Sequence, residues 1–283
     1  VLSFNTRQLN TAGAIANVPG NFLELLETAG YLPDFTDDPG LLARHLRPDE
    51  TQYSLEARVR SYLDVNCSYC HRPGGSGGGS WDGRAHLTLA QTGLHNGVSG
   101  DGALNPGDLL VIPGHVDGSI IYNRIAVANG YTRMPPLATN EIDLEGAQLV
   151  SDWIASEVQP YLTYNDWRIA YFGNDTSPEG EPSADPDVDS GTNHFEWLTN
   201  THPLQGDSIW QPVIRNESGT VSLDVMGLGN RRITALRSFD LMNWDAWPVP
   251  ENDGTPLNPN QIHTFSGPAI GPQEFFKFRI EEN

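Results

Sequence analysis

The sequence predicts a multidomain α plus β chain, helical in its first part and ending in a small β-sandwich-like module. Three observations predict it. Leu55, Val59, Tyr62 and Leu63, and later Leu144, Ala147, Val150, Trp153, Ile154 and Val158, recur at helical spacing. Between 160 and 200 the composition turns acidic, with Asp166, Asp175, Glu179, Glu181, Asp185, Asp187, Asp189 and Glu196 set against Arg168 alone. Beyond it, Val213-Ile214, Val221–Val225, Arg232–Leu236 and Phe275–Ile280 are short β-branched or aromatic runs, separated by turn signals such as Asn252-Asp253-Gly254.

In chain order, residues 1–50 read as a lead-in segment. Asn21 can cap a helix from Phe22 to Ala29, Gly30 can end it, and Pro33, Pro39 and Pro48 then break the chain. A helix-bounded segment, 51–160, follows. It opens with a helix capped by Ser54 and running to Cys67, then a flexible loop, Gly74–Ser80. Residues 85–118 read as short extended pieces and turns, and Ser119 is a candidate cap for a helix holding Ile120, Ile121 and Ile125. The closing helix, 144–158, is capped by Asp143 and stops at Pro160. Residues 161–203 form an acidic linker, and 204–283 the β-module. The 283 residues suffice for two modest domains.

The formal charge of -20 disfavours nucleic-acid binding, which needs a basic face to displace counterions. Arg supplies every cation but Lys277, so docking through a ring of lysines is not expected. The apolar stretches are too short to cross a bilayer. The chain opens Val1-Leu2-Ser3-Phe4, from which a processed product with a missing upstream region is expected.

The two cysteines sit three positions apart in Asn66-Cys67-Ser68-Tyr69-Cys70-His71. This is C-x-x-C-H, the spacing that lets two thiols on one turn reach the two vinyl groups of a haem while the next residue presents its imidazole to the iron. Two readings compete. A redox-active C-x-x-C ordinarily follows a strand, whereas a helix leads in here. Structural zinc would need Cys67, Cys70, His71 and a remote His86 or His95.

A second iron ligand is expected downstream. Met134 stands in Tyr131-Thr132-Arg133-Met134-Pro135-Pro136, where two prolines would hold a loop extended across the open face of the ring. A core-filling methionine is the plainer alternative, and His45, His86, His95 and His115 are rival ligands. Met226 and Met242 fall in the β-like region and read as packing residues.

With these residues in view, 51–160 resembles a class I cytochrome c domain: entry helix, C-x-x-C-H, R-M-P-P loop and a closing amphipathic helix bearing Trp153. More narrowly, Asn66–Gly75, Val111–Gly114, Gly118–Tyr122 and Arg133–Leu137 resemble the cytochrome domains of large secreted proteins from planctomycete- and verrucomicrobium-like bacteria. In several of those the domain follows a sugar- or sorbosone-dehydrogenase-like propeller, and Thr6–Asn10 with Phe22–Gly30 resembles the connecting segment. The resemblance implies an α-helical cytochrome c domain with one covalent haem c. It departs at His115, where the relatives often carry Asp.

Asp185-Pro186-Asp187-Val188-Asp189-Ser190-Gly191-Thr192-Asn193-His194-Phe195-Glu196 fits a twelve-residue EF-hand-type calcium loop. Asp185, Asp187, Asp189, Asn193 and Glu196 would supply side-chain oxygens, and Gly191 its carbonyl. Ser190 stands where glycine is usual, and a solvated acidic linker is the alternative. The loop resembles the single loops of dockerin- or thrombospondin type 3-like repeats, which implies a structural Ca2+.

The expected function is a non-catalytic monohaem electron carrier, periplasmic or extracellular, exchanging electrons with a dehydrogenase or another cytochrome. The alternatives are a haem-bearing subunit of an extracellular polymeric assembly, hence a homo-oligomer, and the C-terminal fragment of a secreted dehydrogenase. Residues 204–283 resemble accessory modules that end secreted proteins of the same bacteria, with adhesion or assembly as the default role.

Overall fold

The computed structural model describes residues 4–77, 81–136, 141–156, 162–259 and 261–283. The chain divides into two compact units, Val1–Gln159 and Pro160–Asn283.

The first unit opens with a single helical turn, α1 (Thr6–Leu9), and an antiparallel hairpin of β1 (Ala12–Ile15) and β2 (Val18–Asn21). Ala16 and Asn17 make the turn, both at positive φ. Helix α2 (Phe22–Thr28) follows directly, with Asn21 Oδ1 accepting from the Leu23 N–H. Buried Asn10 ties this lead-in down. Its Nδ2 donates to the carbonyls of Pro39 and Leu42, and its Oδ1 accepts from Asn21. The lead-in is therefore packed into the first unit.

Helix α3 (Leu55–Cys67) begins where Ser54 Oγ accepts from the Ala57 N–H. A short turn, α4 (Leu89–Thr92), is held by a reciprocal Thr88–Gln91 capping box. Helix α5 (Ile120–Ala126) starts differently from expectation: Ser119 Oγ donates backwards to the His115 carbonyl and accepts from the Ile112 N–H, so it braces the preceding loop instead of capping the helix. Helix α6 (Leu144–Ser156) is capped by Asp143 Oδ1 on the Gly146 N–H. Its expected run to Val158 and stop at Pro160 lie outside the described residues, as do Gly78–Ser80 and Leu137.

The periodic apolar faces of α3 and α6 meet. Val59 and Leu63 join Val150, Trp153 and Ile154 in one core with Ile121 and Ile125 of α5, Leu89, Leu94, Leu110, Val111 and Trp81. Gly146 allows the close approach, since a Cβ there would sit 2.4 Å from the Tyr62 ring.

In the second unit, α7 (Tyr164–Phe172) and α8 (Asn193–Thr199) precede two three-stranded antiparallel sheets. β3 (Val213–Glu217) and β4 (Thr220–Met226) form one with β7 (Ile262–Pro268), in the order β3-β4-β7. β5 (Arg231–Ser238), β6 (Asp245–Ala246) and β8 (Phe275–Glu282) form the other, in the order β6-β5-β8. Val221, Leu223, Val225 and Phe265 are buried on the first, Ile233 and Ala235 on the second, with Trp247, Val249 and Leu257 between strands in sequence also buried.

These observations correct the expected fold class. The chain is mixed α and β, with strands and helices in both units, and is not a clearly helical cytochrome c domain followed by a β-sandwich-like one. The physical reasons are local. Among the described residues, only α3 and α6 run to thirteen residues, while turn residues dominate 68–119. The hairpin strands are four residues long and contain Pro19, too short to show alternation. The acidic stretch read as linker folds into α7, because Thr163 and Asp166 form a capping box and Trp167 is buried beneath it.

Candidate functional site

Cys67 ends α3, and the chain turns at once: the amides of Cys70 and His71 both donate to the Cys67 carbonyl, at 3.1 and 2.8 Å. Both thiols are free. Cys70 Sγ accepts from Ser76 Oγ at 3.3 Å. Burial, with the neighbouring Cys70 and Asp64 adding to it, pushes the Cys67 thiol up to about 12. An attacking cysteine needs the opposite shift, so this microenvironment does not suit thiol–disulfide exchange.

The His71 ring lies face to face with Trp81, centroids 4.5 Å apart and planes 21° from parallel. Its Nδ1 is buried and has no hydrogen-bond partner. Burial lowers the basicity of the imidazole, which keeps it in the neutral form a metal requires. The Gly77 backbone passes so close that a Cβ would stand 2.9 Å from Nδ1. The Gly83 amide donates to the His71 carbonyl at 2.8 Å, closing the loop onto the motif.

Met134 is half-buried, and its peptide bond to Pro135 is cis. Its N–H donates to the Arg124 carbonyl on the last turn of α5. The Arg124 guanidinium bonds Thr132 Oγ1 at 2.8 Å and lies over the Tyr131 ring. The same charge lowers the basicity of His71, opposed by Asp101. The Met134 loop is thus clamped to the end of α5 through Arg124. His115 is exposed, while His95 has a buried, unpartnered Nε2.

Two thiols and a neutral imidazole on one turn, with one ring nitrogen unpartnered, fit the donor set of a covalent haem. Zinc is served less well. Among the described residues, the group of three or more His, Cys, Asp or Glu donors close enough to share a cation is Asp185, Asp187 and Asp189, and neither His86 nor His95 joins the two thiols.

That acidic group is the second candidate site. Carboxylate oxygens of Asp185, Asp187 and Asp189 lie within 4.8 Å of one another. The loop turns its amides inward: Val188 and Ser190 donate to Asp185, and Gly191 to Asp189 Oδ1 at 2.6 Å. Ser190 takes the positive φ, +81°, that glycine ordinarily supplies at that place. Glu196, on α8, is 1% exposed, and both its carboxylate oxygens lack a partner. Asp187 Oδ2 and Asn193 Oδ1 are also buried and unpartnered, while Asn193 Nδ2 donates to the carbonyls of Glu179 and Glu181. Gly191 is packed beside Glu196, where a Cβ would stand 3.4 Å from its Cγ. Burial, then repulsion from Asp187, Asp189 and Asp185, raises the Glu196 carboxyl to about 7. Acceptors turned inward without donors are costly unless a cation completes them.

Sequence reasoning missed Trp81, ten residues beyond His71 with a glycine loop between, and a buried His45–Asp64 pair. Neither leaves a pattern in the sequence, since both are made by folding. No protein-family model, curated protein or solved structure matches this chain.

Proposed function

We propose that the chain is a monohaem c-type electron carrier working outside the cytoplasm, with haem c attached to Cys67 and Cys70 and its iron held by His71 and Met134. The observation that carries this reading is the turn after α3, where two free thiols precede an imidazole kept neutral by burial. Bound there, the haem would supply one-electron iron chemistry. The chain's own residues do the positioning. Ser54 and the α3–α6 contact hold the thiols' helix. Trp81 restrains the His71 ring. Arg124 fixes the loop that carries Met134.

With the His71 imidazole and the Met134 thioether both holding the iron, the haem would favour electron exchange over oxygen or peroxide chemistry. At a net charge of -20, the favoured partner is a redox protein with a basic docking face. No helix among the described residues is long and apolar enough to cross a membrane. The proposal is tested by intact mass and a reduced-minus-oxidised spectrum of protein made in a host competent for haem attachment. One added haem with thioether-linked α-band absorption is expected; bare thiols would overturn the reading.

Asp185, Asp187, Asp189, Asn193 and Glu196, with the Gly191 carbonyl, form in this reading a structural Ca2+ site. Its support is the buried, unpartnered Glu196 carboxylate beside three clustered aspartates. Calorimetric titration of the full chain should show one calcium bound, with binding lost in Asp185→Ala, which removes the first ligand of the loop. Absence of calcium binding by the wild-type chain would remove the site.

A further inference from the structure

His45 sits in the lead-in and is nine-tenths buried, yet neither ring nitrogen has a hydrogen-bond partner. Its Nε2 lies 3.7 Å from Asp64 Oδ2, itself 92% buried, an ion-pair distance too long for a hydrogen bond. Asp64 belongs to the last turns of α3, and its carbonyl accepts from both the amide and the hydroxyl of Ser68. Its carboxylate also accepts from the Ala85 amide and acts on the Cys67 thiol. One carboxylate therefore connects a buried imidazole to the helix turn that bears the first haem thiol.

We propose that His45, held against Asp64, is a redox-linked proton site, taking up a proton when the haem attached at Cys67 and Cys70 is reduced. The inference rests on the haem attachment proposed above. The balance is one electron from an external one-electron donor to the iron and one proton from solvent to the imidazole, both returned on oxidation.

The groups facing the ring fix the sign. Desolvation opposes the imidazolium, Asp64 from α3 favours it, and Arg7 from α1 opposes it; the Arg7 carbonyl also accepts from the His45 backbone amide. Arg84 and His86, from the loop after Trp81, bear on the same carboxylate. Burial thereby holds the ring neutral, below its ordinary value, beside the Asp64 carboxylate. An electron added nearby favours the imidazolium. Asp64 and Cys67 are helix neighbours at i and i+3, about 5–6 Å apart at Cβ.

The test is a spectroelectrochemical titration of the haem-loaded full chain from pH 4.5 to 8. The midpoint potential should rise as pH falls between the two His45 pKa values and lie flat outside that window. His45→Gln should abolish that slope while keeping the spectrum. A slope kept in His45→Gln, or a flat wild-type profile in loaded protein, overturns the proposal. Should the variant fail to fold, the His45 ring signal is titrated by NMR in oxidised and reduced wild type. Equal pKa values in the two states overturn it as well. Protein that carries no haem at all would instead fail the attachment reading, taking this one with it.

Discussion

Removing calcium should reverse the pH dependence of stability that Glu196 imposes, and Glu196→Gln should abolish it. In the ion-free chain the Glu196 carboxyl stands at about 7 against an ordinary 4.5, raised by burial and by Asp187, Asp189 and Asp185. Between those values the folded state binds more protons than the unfolded one, so stability falls as pH rises from about 4.5 to 7 and levels off above. The full shift corresponds to about 3 kcal/mol, and water entering the loop reduces the expected loss to about 1–2 kcal/mol. With calcium in excess the ionised carboxylate is the bound form, protons compete with the ion, and the stabilisation grows with pH across the same window. Urea unfolding of the full chain in EDTA and in calcium, read by tryptophan fluorescence at intervals from pH 4.5 to 8, measures both slopes. Glu196→Gln mimics the protonated carboxyl, so in EDTA at pH 8 it should be more stable than wild type by about 1–2 kcal/mol. A wild-type minus variant difference that is flat in EDTA, or that rises with pH, would refute the reasoning.

Gly146→Ala should destabilise the first unit by about 1–2 kcal/mol in urea titration, because a Cβ there meets the Tyr62 ring and outweighs the helix preference for alanine. Ser190→Gly should stabilise the calcium-free second unit by about 0.5–1 kcal/mol, since Ser190 is held at φ +81°; an unchanged midpoint counts against that backbone. In haem-loaded protein, Met134→Ala should open the iron to carbon monoxide or imidazole, with the far-red sulfur-to-iron band lost. An unaltered ligand-field spectrum would remove Met134 from the iron.

Local features were legible where a single element carries them. The Ser54 cap, the α3 and α6 faces and the strands at 221–225 and 275–280 all follow from short-range spacing, which is why their residues recur in the structure with shifts of only a residue or two. Other features were misread because competing local signals cancelled. Ser119 looks like a cap but is drawn back to Ile112 and His115. The acidic composition around Asp166 hid a helix whose capping box uses that very carboxylate, which accepts from the Thr163 amide. The fold class failed for a related reason, since a hairpin of four-residue strands and a two-residue β6 are stabilised by what they pack against and not by their own periodicity.

By itself the sequence determined the chemistry on offer: two thiols and an imidazole at C-x-x-C-H, a thioether in an R-M-P-P loop, and carboxylates at alternate positions of a twelve-residue loop. Covalent spacing along one turn dictates those sets without reference to the rest of the chain. Tertiary structure alone decided which groups lost water. Burial raised the pKa of the Cys67 thiol, left the Glu196 oxygens unpartnered, laid Trp81 on His71 and put His45 beside Asp64. Desolvation depends on residues distant in sequence closing over a group, so no local pattern can announce it.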